Sequence, residues 1–354
     1  MRWARPRTLL RAAERGSGDT ALIVERVLKA RPLFLVLLAL AVVLGVLWFV
    51  PSNEYIFLPD PPRAVDPLVQ VPGEKGVEEK GGIYMVDIFV RKASLLERFF
   101  PQLREGASLV PAKQVNPIGV SESQRLQQSR NEMSQSQKVA AAVALRYLGY
   151  KVDVKTNGVE VTAVYPDAPA DGKLEVGDVI VAVEGRPVDT TEALRKAMSR
   201  VNPGETVTFG VRQAGGVRQV RLATEANPDE PKRAIVGVQI EQSATIDLPL
   251  AIKIDTGSIG GPSAGLAFSL DIVDEIGKDL DDDRRIVVTG ALDLDGRVVE
   301  IGGIKQKTIA ARNSHADLFL VPDGNAKDAR RYADGLKVVA VSSFREALSA
   351  LTKT

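Results

Sequence analysis

"GSIGGPSAGLAFSLDIVDEIG", Gly257 to Gly277, is a glycine-rich loop that runs into an apolar helix ending at Gly277. Such a loop aims backbone N–H groups and the positive end of the helix dipole at the turn, where negative charge is stabilised. Pro262 suits the first helical turn, because the N–H it lacks would have no partner there. Gly261-Pro262-Ser263-Ala264-Gly265 also matches the G-x-S-x-G pattern of serine hydrolases. Ser263 then has two readings. It is a nucleophile whose alkoxide and oxyanion the loop stabilises, or it caps a helix whose glycines serve close packing.

The flanks give the fold class. "AIVGVQI" and "PLAIKID" precede the loop as strands, while "RRIVVTGAL", "DLFLVP" and "KVVAVS" follow it. Helical stretches "IKQKTIAARN", "AKDARRYA" and "FREALSAL" alternate with the later strands, which predicts an α/β core. Upstream, Ser121 to Leu148 reads as one long helix stopped at Gly149. Between these parts, "GVEVTAVYPDAPADGKLEVGDVIVAVEGRPV" alternates apolar and polar residues, "DTTEALRKAMSRV" is helical, and "ETVTFGVRQAGGVRQVRLAT" is a hairpin around Gly215-Gly216. This β-rich unit is expected to close near Thr224. "GIYMVDIFV" reads as a strand, and residues 51–80, rich in Pro, Gly and charge, as a tether.

A serine nucleophile needs a base. The single histidine, His315, lies in "NSHAD", barely two β-α units after Ser263 and leading into a strand; it reads as a polar loop residue. A lysine serves if burial lowers its pKa from about 10.4 toward neutrality. On the helix "IKQKTIAARN" both Lys305 and Lys307 have apolar neighbours at helical spacing, and periodicity separates them only slightly.

Composition narrows the rest. The 354 residues are 45% hydrophobic and 26% charged with a net charge of +1, so no nucleic-acid partner is called for. There is no cysteine, which removes disulfides and thiol catalysis, and no metal or other cofactor is implied. "PLFLVLLALAVVLGVLWFV", Pro32 to Val50, is uncharged and long enough to cross a bilayer of about 30 Å. Arg and Lys crowd the segment before it, which places the N-terminus in the cytoplasm and the remainder outside the cell membrane. Trp48-Phe49-Val50-Pro51 is a poor signal-peptide cleavage site, so an uncleaved anchor is expected.

"GGPSAG", then "VVTGALDLDGRVVEIGGIKQKTIAA", then "FLVP", resembles the proteolytic domain of Lon (S16-type) proteases. The resemblance implies Ser263 as nucleophile, Lys307, the second lysine of G-G-x-K-x-K, as general base, and Thr289 as its support. The oxyanion is expected at the backbone N–H groups of Gly261 and Ser263. Gly177-Asp178-Val179-Ile180 to Gly185 resembles the signature of bacterial PDZ domains, which take an extended peptide as an added strand. Leu148-Gly149-Tyr150 is the expected loop for the peptide carboxylate.

Together these features resemble the PDZ-containing Lon-like membrane proteins of bacteria. The implied layout is a cytoplasmic segment (1–31), a transmembrane helix (32–50), a linker (51–80), a protease domain in two parts (81–149 and 233–354) and a PDZ domain inserted between them (150–226). The implied activity is ATP-independent endopeptidase action on unfolded or C-terminal protein segments, in a homo-oligomer that is hexameric by family analogy; a catalytically silent scaffold is the alternative. Two departures stand out. No G-x-x-x-x-G-K-[ST] stretch occurs, and Gly260 stands where many Lon proteins carry an acidic residue, which predicts a more open loop.

Overall fold

The computed structural model describes residues 34–72, 81–115, 122–213, 215–228, 230–257, 259–277 and 280–352. Residues 34–49 are helical, with exposed apolar side chains such as Phe34, Leu38 and Val46. Among the described residues no helix is long and apolar enough to cross a membrane. The expected cytoplasmic segment and the first residues of the apolar run lie outside the described chain.

The stretch expected as a tether is largely built into the domain. β1 (Pro51–Pro59) buries Tyr55 and Ile56 and carries its prolines at its two ends, where a missing N–H does little harm to a ladder. β2 (Arg63–Ala64) follows, and Val65 and Val69 sit in the main core. The continuous apolar run Tyr55-Ile56-Phe57-Leu58 outweighs the Pro count around it. Residues 73–80 lie outside the described chain. The expected strand "GIYMVDIFV" splits into β3 (Gly82–Met85) and β4 (Ile88–Ser94), which belong to different sheets. β5 (Ser108–Pro111) completes an antiparallel sheet of order β4-β1-β5.

α1 (Glu122–Tyr147) is buried at every position from Ala140 to Leu145, so this half is packed on all sides. The β-rich unit follows: β6 (Asp153–Val164), β7 (Val179–Val183), α2 (Thr191–Met198), β8 (Thr206–Gln213) and β9 (Gly216–Ala223). It has its own core around Val159, Val161, Ile180, Phe209 and Leu222. This unit does not close near Thr224. β10 (Val238–Asp247) pairs antiparallel with β6 from Val238↔Val164 to Asp247↔Asp153, giving the order β9-β8-β7-β6-β10. Without β10, the long β6 would be left as an unpaired edge.

The rest of the chain forms the α/β core: α3 (Gly265–Gly277), β11 (Arg285–Val288), α4 (Ile304–Asn313), β12 (Leu318–Pro322), α5 (Ala326–Arg331), β13 (Val338–Val341) and α6 (Phe344–Thr352). The sheet runs β2-β3-β11-β12-β13, parallel from β3 to β13. Alternate residues serve its two faces, as the pleat requires. Ile286, Val288, Leu318 and Leu320 pack with α1, α3 and α6, whereas Val287, Phe319 and Val321 pack with α4 and α5. All five residues of β12 are buried, as in a parallel strand covered on both sides. α3 and α4 therefore cover opposite faces, and the site forms where both reach past the carboxyl end of β11.

Candidate active site

Ser263 lies in a 3₁₀ turn, Pro262–Ala264, that leads directly into α3. Gly261, before the turn, has φ 88°, a conformation open to glycine at little cost. Thr289 follows β11 and is fully buried. Lys307 stands on α4 and is 2% exposed. α4 starts from Gly303, at φ 71°, where a Cβ would come within 2.8 Å of Ile88, so only glycine lets the helix begin this close to the sheet.

These elements bring the three residues together. Lys307 Nζ lies 2.7 Å from Ser263 Oγ and 3.2 Å from Thr289 Oγ1. Thr289 Oγ1 also donates to the Ser263 carbonyl at 3.3 Å, and Gly290 N–H donates to the same oxygen at 2.9 Å. Burial lowers the Lys307 pKa from 10.5 to about 8, against a smaller opposing pull from the Asp87 carboxylate. Asp87 sits just past β3, and burial raises its own pKa. A lysine in this state is neutral in an appreciable fraction of molecules near neutral pH and can accept a hydroxyl proton.

Lys305, which periodicity left level with Lys307, points elsewhere. Its Nζ donates to the Ala107 carbonyl at 2.9 Å and lies 5.8 Å from the Tyr332 ring centre. His315 is exposed in the turn beyond α4, about two helical turns along from Lys307.

Two expectations about the loop are overturned. The Gly261 N–H does not face an oxyanion; it donates to the Ser129 carbonyl of α1 at 2.9 Å. The donors left in the turn are the N–H groups of Ser263 and Ala264, which as first residues of a helical turn have no acceptor behind them. Gly260 does not make the loop more open. A Cβ there would lie 2.2 Å from Ser129 Oγ, so the missing side chain lets α1 close onto the loop. Further along α1, Ser136 Oγ donates to the Pro262 carbonyl at 3.0 Å. Sequence reasoning missed Ser129, Ser136 and Asp87. The two serines are seven residues apart and share one helix face, a signal hidden in a stretch that reads as polar surface.

The groove of the β-rich unit lies between α2 and β10, about 940 Å³ in volume, lined by Ile180, Leu194, Met198, Phe209, Val236 and Ile240 with Arg195 and Arg233 among the polar residues. Gly237, at φ 74°, turns the chain into β10, and a Cβ on it would lie 2.2 Å from that of Ala168. Leu148, Gly149 and Tyr150 are not at this groove. They end α1: Tyr150 N–H donates to the Leu145 carbonyl, Gly149 takes φ 88°, and Leu148 packs on the main core. The reason is topological, since β10, not the chain after Tyr150, forms the strand edge beside α2.

A family model described as the Lon protease (S16) C-terminal proteolytic domain matches residues 232–353, and a PDZ domain model matches 146–224. Lon protease 2 of Bacillus subtilis (strain 168) is 36% identical over 103 residues, covering 29% of this chain and 18% of that protein. Lon protease of Rickettsia bellii (strain RML369-C) is 29% identical over 163 residues, covering 45% of this chain and 21% of that protein. The chain thus spans about a fifth of the length of these curated relatives. The PDZ domain of the SdrC-like protein from Listeria monocytogenes aligns at 21% identity with a TM-score of 0.22, over 24% of this chain and 87% of that one. The PDZ match carries the groove helix and the Lon match carries the serine–lysine pair, and the chain joins a PDZ domain to a Lon-type C-terminal proteolytic domain.

Proposed function

We propose that this protein is a serine endopeptidase working through a Ser263–Lys307 dyad. The observation that carries the reading is the 2.7 Å separation of Ser263 Oγ from a buried Lys307 amine. Ser263 Oγ bonds to the scissile carbonyl carbon as its proton passes to Lys307 Nζ. The oxyanion is met by the N–H groups of Ser263 and Ala264. The C–N bond breaks, and Lys307 returns the proton to the leaving amine. Water then attacks the acyl-ester, giving its proton to Lys307, and Ser263 takes that proton back as the acid leaves. Thr289 holds the amine on the Ser263 side of the pocket, and both dyad residues sit on elements of one rigid core.

The PDZ groove suits an extended segment with an apolar C-terminus, added as a strand along the free edge of β10. We read the proposed hydrolysis as ATP-independent; these 354 residues themselves carry no P-loop. The apolar run 32–50 would anchor the chain in the cell membrane with both domains on the outer side, and ring assembly follows by analogy with Lon alone. Hydrolysis of an unstructured protein by the full chain in detergent, beside Ser263→Ala and Lys307→Ala, tests the dyad. Each substitution is expected to abolish turnover; activity surviving both would refute it.

A further inference from the structure

The trans peptide unit between Pro262 and Ser263 holds its C=O and N–H in one plane, pointing in opposite directions, so whatever holds the carbonyl also aims the N–H. The Pro262 carbonyl accepts from the Gly265 N–H of its own turn and from Ser136 Oγ at 3.0 Å. The second bond is the one that reaches this plane from outside the loop. Ser136 is 6% exposed and stands two helical turns after Ser129, whose carbonyl holds the Gly261 N–H. α1 thus grips the loop immediately before Ser263 at two points. Gly265 makes the approach possible, since a Cβ there would lie 2.8 Å from Ser136 Oγ. On the other side of Ser263, its carbonyl is tied to Gly290 and Thr289.

We propose that Ser136 is a positioning residue for the hydrolysis: by holding the Pro262 carbonyl, its hydroxyl aims the Ser263 N–H at the forming oxyanion. The inference rests on the dyad reading given above. It assigns a role in the reaction to α1, which carries neither nucleophile nor base. It also separates two duties within the site. Thr289 and Lys307 manage the proton, while Ser136 manages the developing negative charge.

The test uses the full chain with Ser136→Ala and the matched pair Ser136→Thr and Ser136→Val, which share a shape and differ in the hydroxyl. Removing an oxyanion donor outright lowers kcat by about 10²–10³, and misaiming one is expected to lower it about tenfold. KM for a fluorogenic peptide should stay level. Inhibition by a peptide boronate, whose adduct is a tetrahedral anion, should weaken by the same factor as kcat/KM falls. The apparent pKa of the rate should not move, because Lys307 is untouched. Ser136→Thr should retain activity that Ser136→Val loses. Equal rates for the Thr and Val variants, a rate loss without weakened boronate inhibition, or a shifted pH profile would each overturn the proposal. Turnover surviving in Ser263→Ala would instead remove the dyad reading, and this proposal with it.

Discussion

Replacing Lys307 by Met should stabilise the protein at pH 7 while abolishing hydrolysis. The Lys307 pKa falls from 10.5 in the unfolded chain to about 8 in the folded one, chiefly because the amine is buried. At about 1.4 kcal/mol per tenfold, keeping the proton in the folded site costs about 3 kcal/mol. The sign follows from proton counts. Below pH 8 both states hold the proton, so the cost is present in full. Between about pH 8 and 10.5 the folded chain has released it and the unfolded chain has not, so stability rises with pH, and above 10.5 the cost is gone. Met has a similar length and no charge. It forfeits the contacts to Ser263 and Thr289, worth about 1 kcal/mol each. The variant should therefore gain roughly 1 kcal/mol at pH 7, and its advantage should vanish or reverse by about pH 10. Urea unfolding of both proteins across this range, each in the Ser263→Ala background to prevent autolysis, measures the difference directly; there the Ser263 contact is absent from both, only the Thr289 contact is lost, and the expected gain at pH 7 is roughly 2 kcal/mol. A variant less stable than its parent at pH 7, or a difference that is flat with pH, would refute the picture of a buried amine under desolvation.

The same lowered pKa governs the rate. With the neutral amine as base and a pKa of about 8, kcat/KM should rise about fivefold from pH 7 to pH 8 and level off beyond pH 9; a fall over that interval would exclude Lys307 as base. Gly260→Asp should push α1 off the loop, because its Cβ would lie 2.2 Å from Ser129 Oγ; stability should drop by about 1–3 kcal/mol and activity with it, read by denaturant melts and peptide turnover. Gly237→Val combines a φ of 74° with a clash against Ala168. It should weaken binding of a peptide with an apolar C-terminus by at least about tenfold, measured by fluorescence anisotropy, while turnover of a short fluorogenic peptide stays near normal.

Helices were legible where their ends carry their own signals. Ile304–Asn313 appears over the residues read from "IKQKTIAARN", between the Gly303 cap and the turn at Ser314-His315. The buried strands of the core were legible from runs such as "DLFLVP", which a parallel strand covered on both faces requires. β1 was not, because Pro51 and Pro59 count against a strand until one sees that both stand at its ends.

For the site, the order of residue types in "GGPSAG" and "GGIKQK" already named a serine and a pair of lysines. Periodicity separates Lys305 and Lys307 only slightly, since both have apolar neighbours at helical spacing, and it is the resemblance to Lon proteases that implies Lys307. The tertiary structure decided between them: one amine meets the Ala107 carbonyl and the other meets Ser263. It also decided what lies farthest apart in sequence. Whether Gly261 can donate depends on Ser129, and which strand borders the PDZ groove depends on the pairing of β10 with β6. Composition and periodicity set which segments form helices and strands, because those preferences act over a few residues. Hydrogen bonds that close loops of a hundred residues or more are set by how the finished elements pack, and no local pattern encodes them.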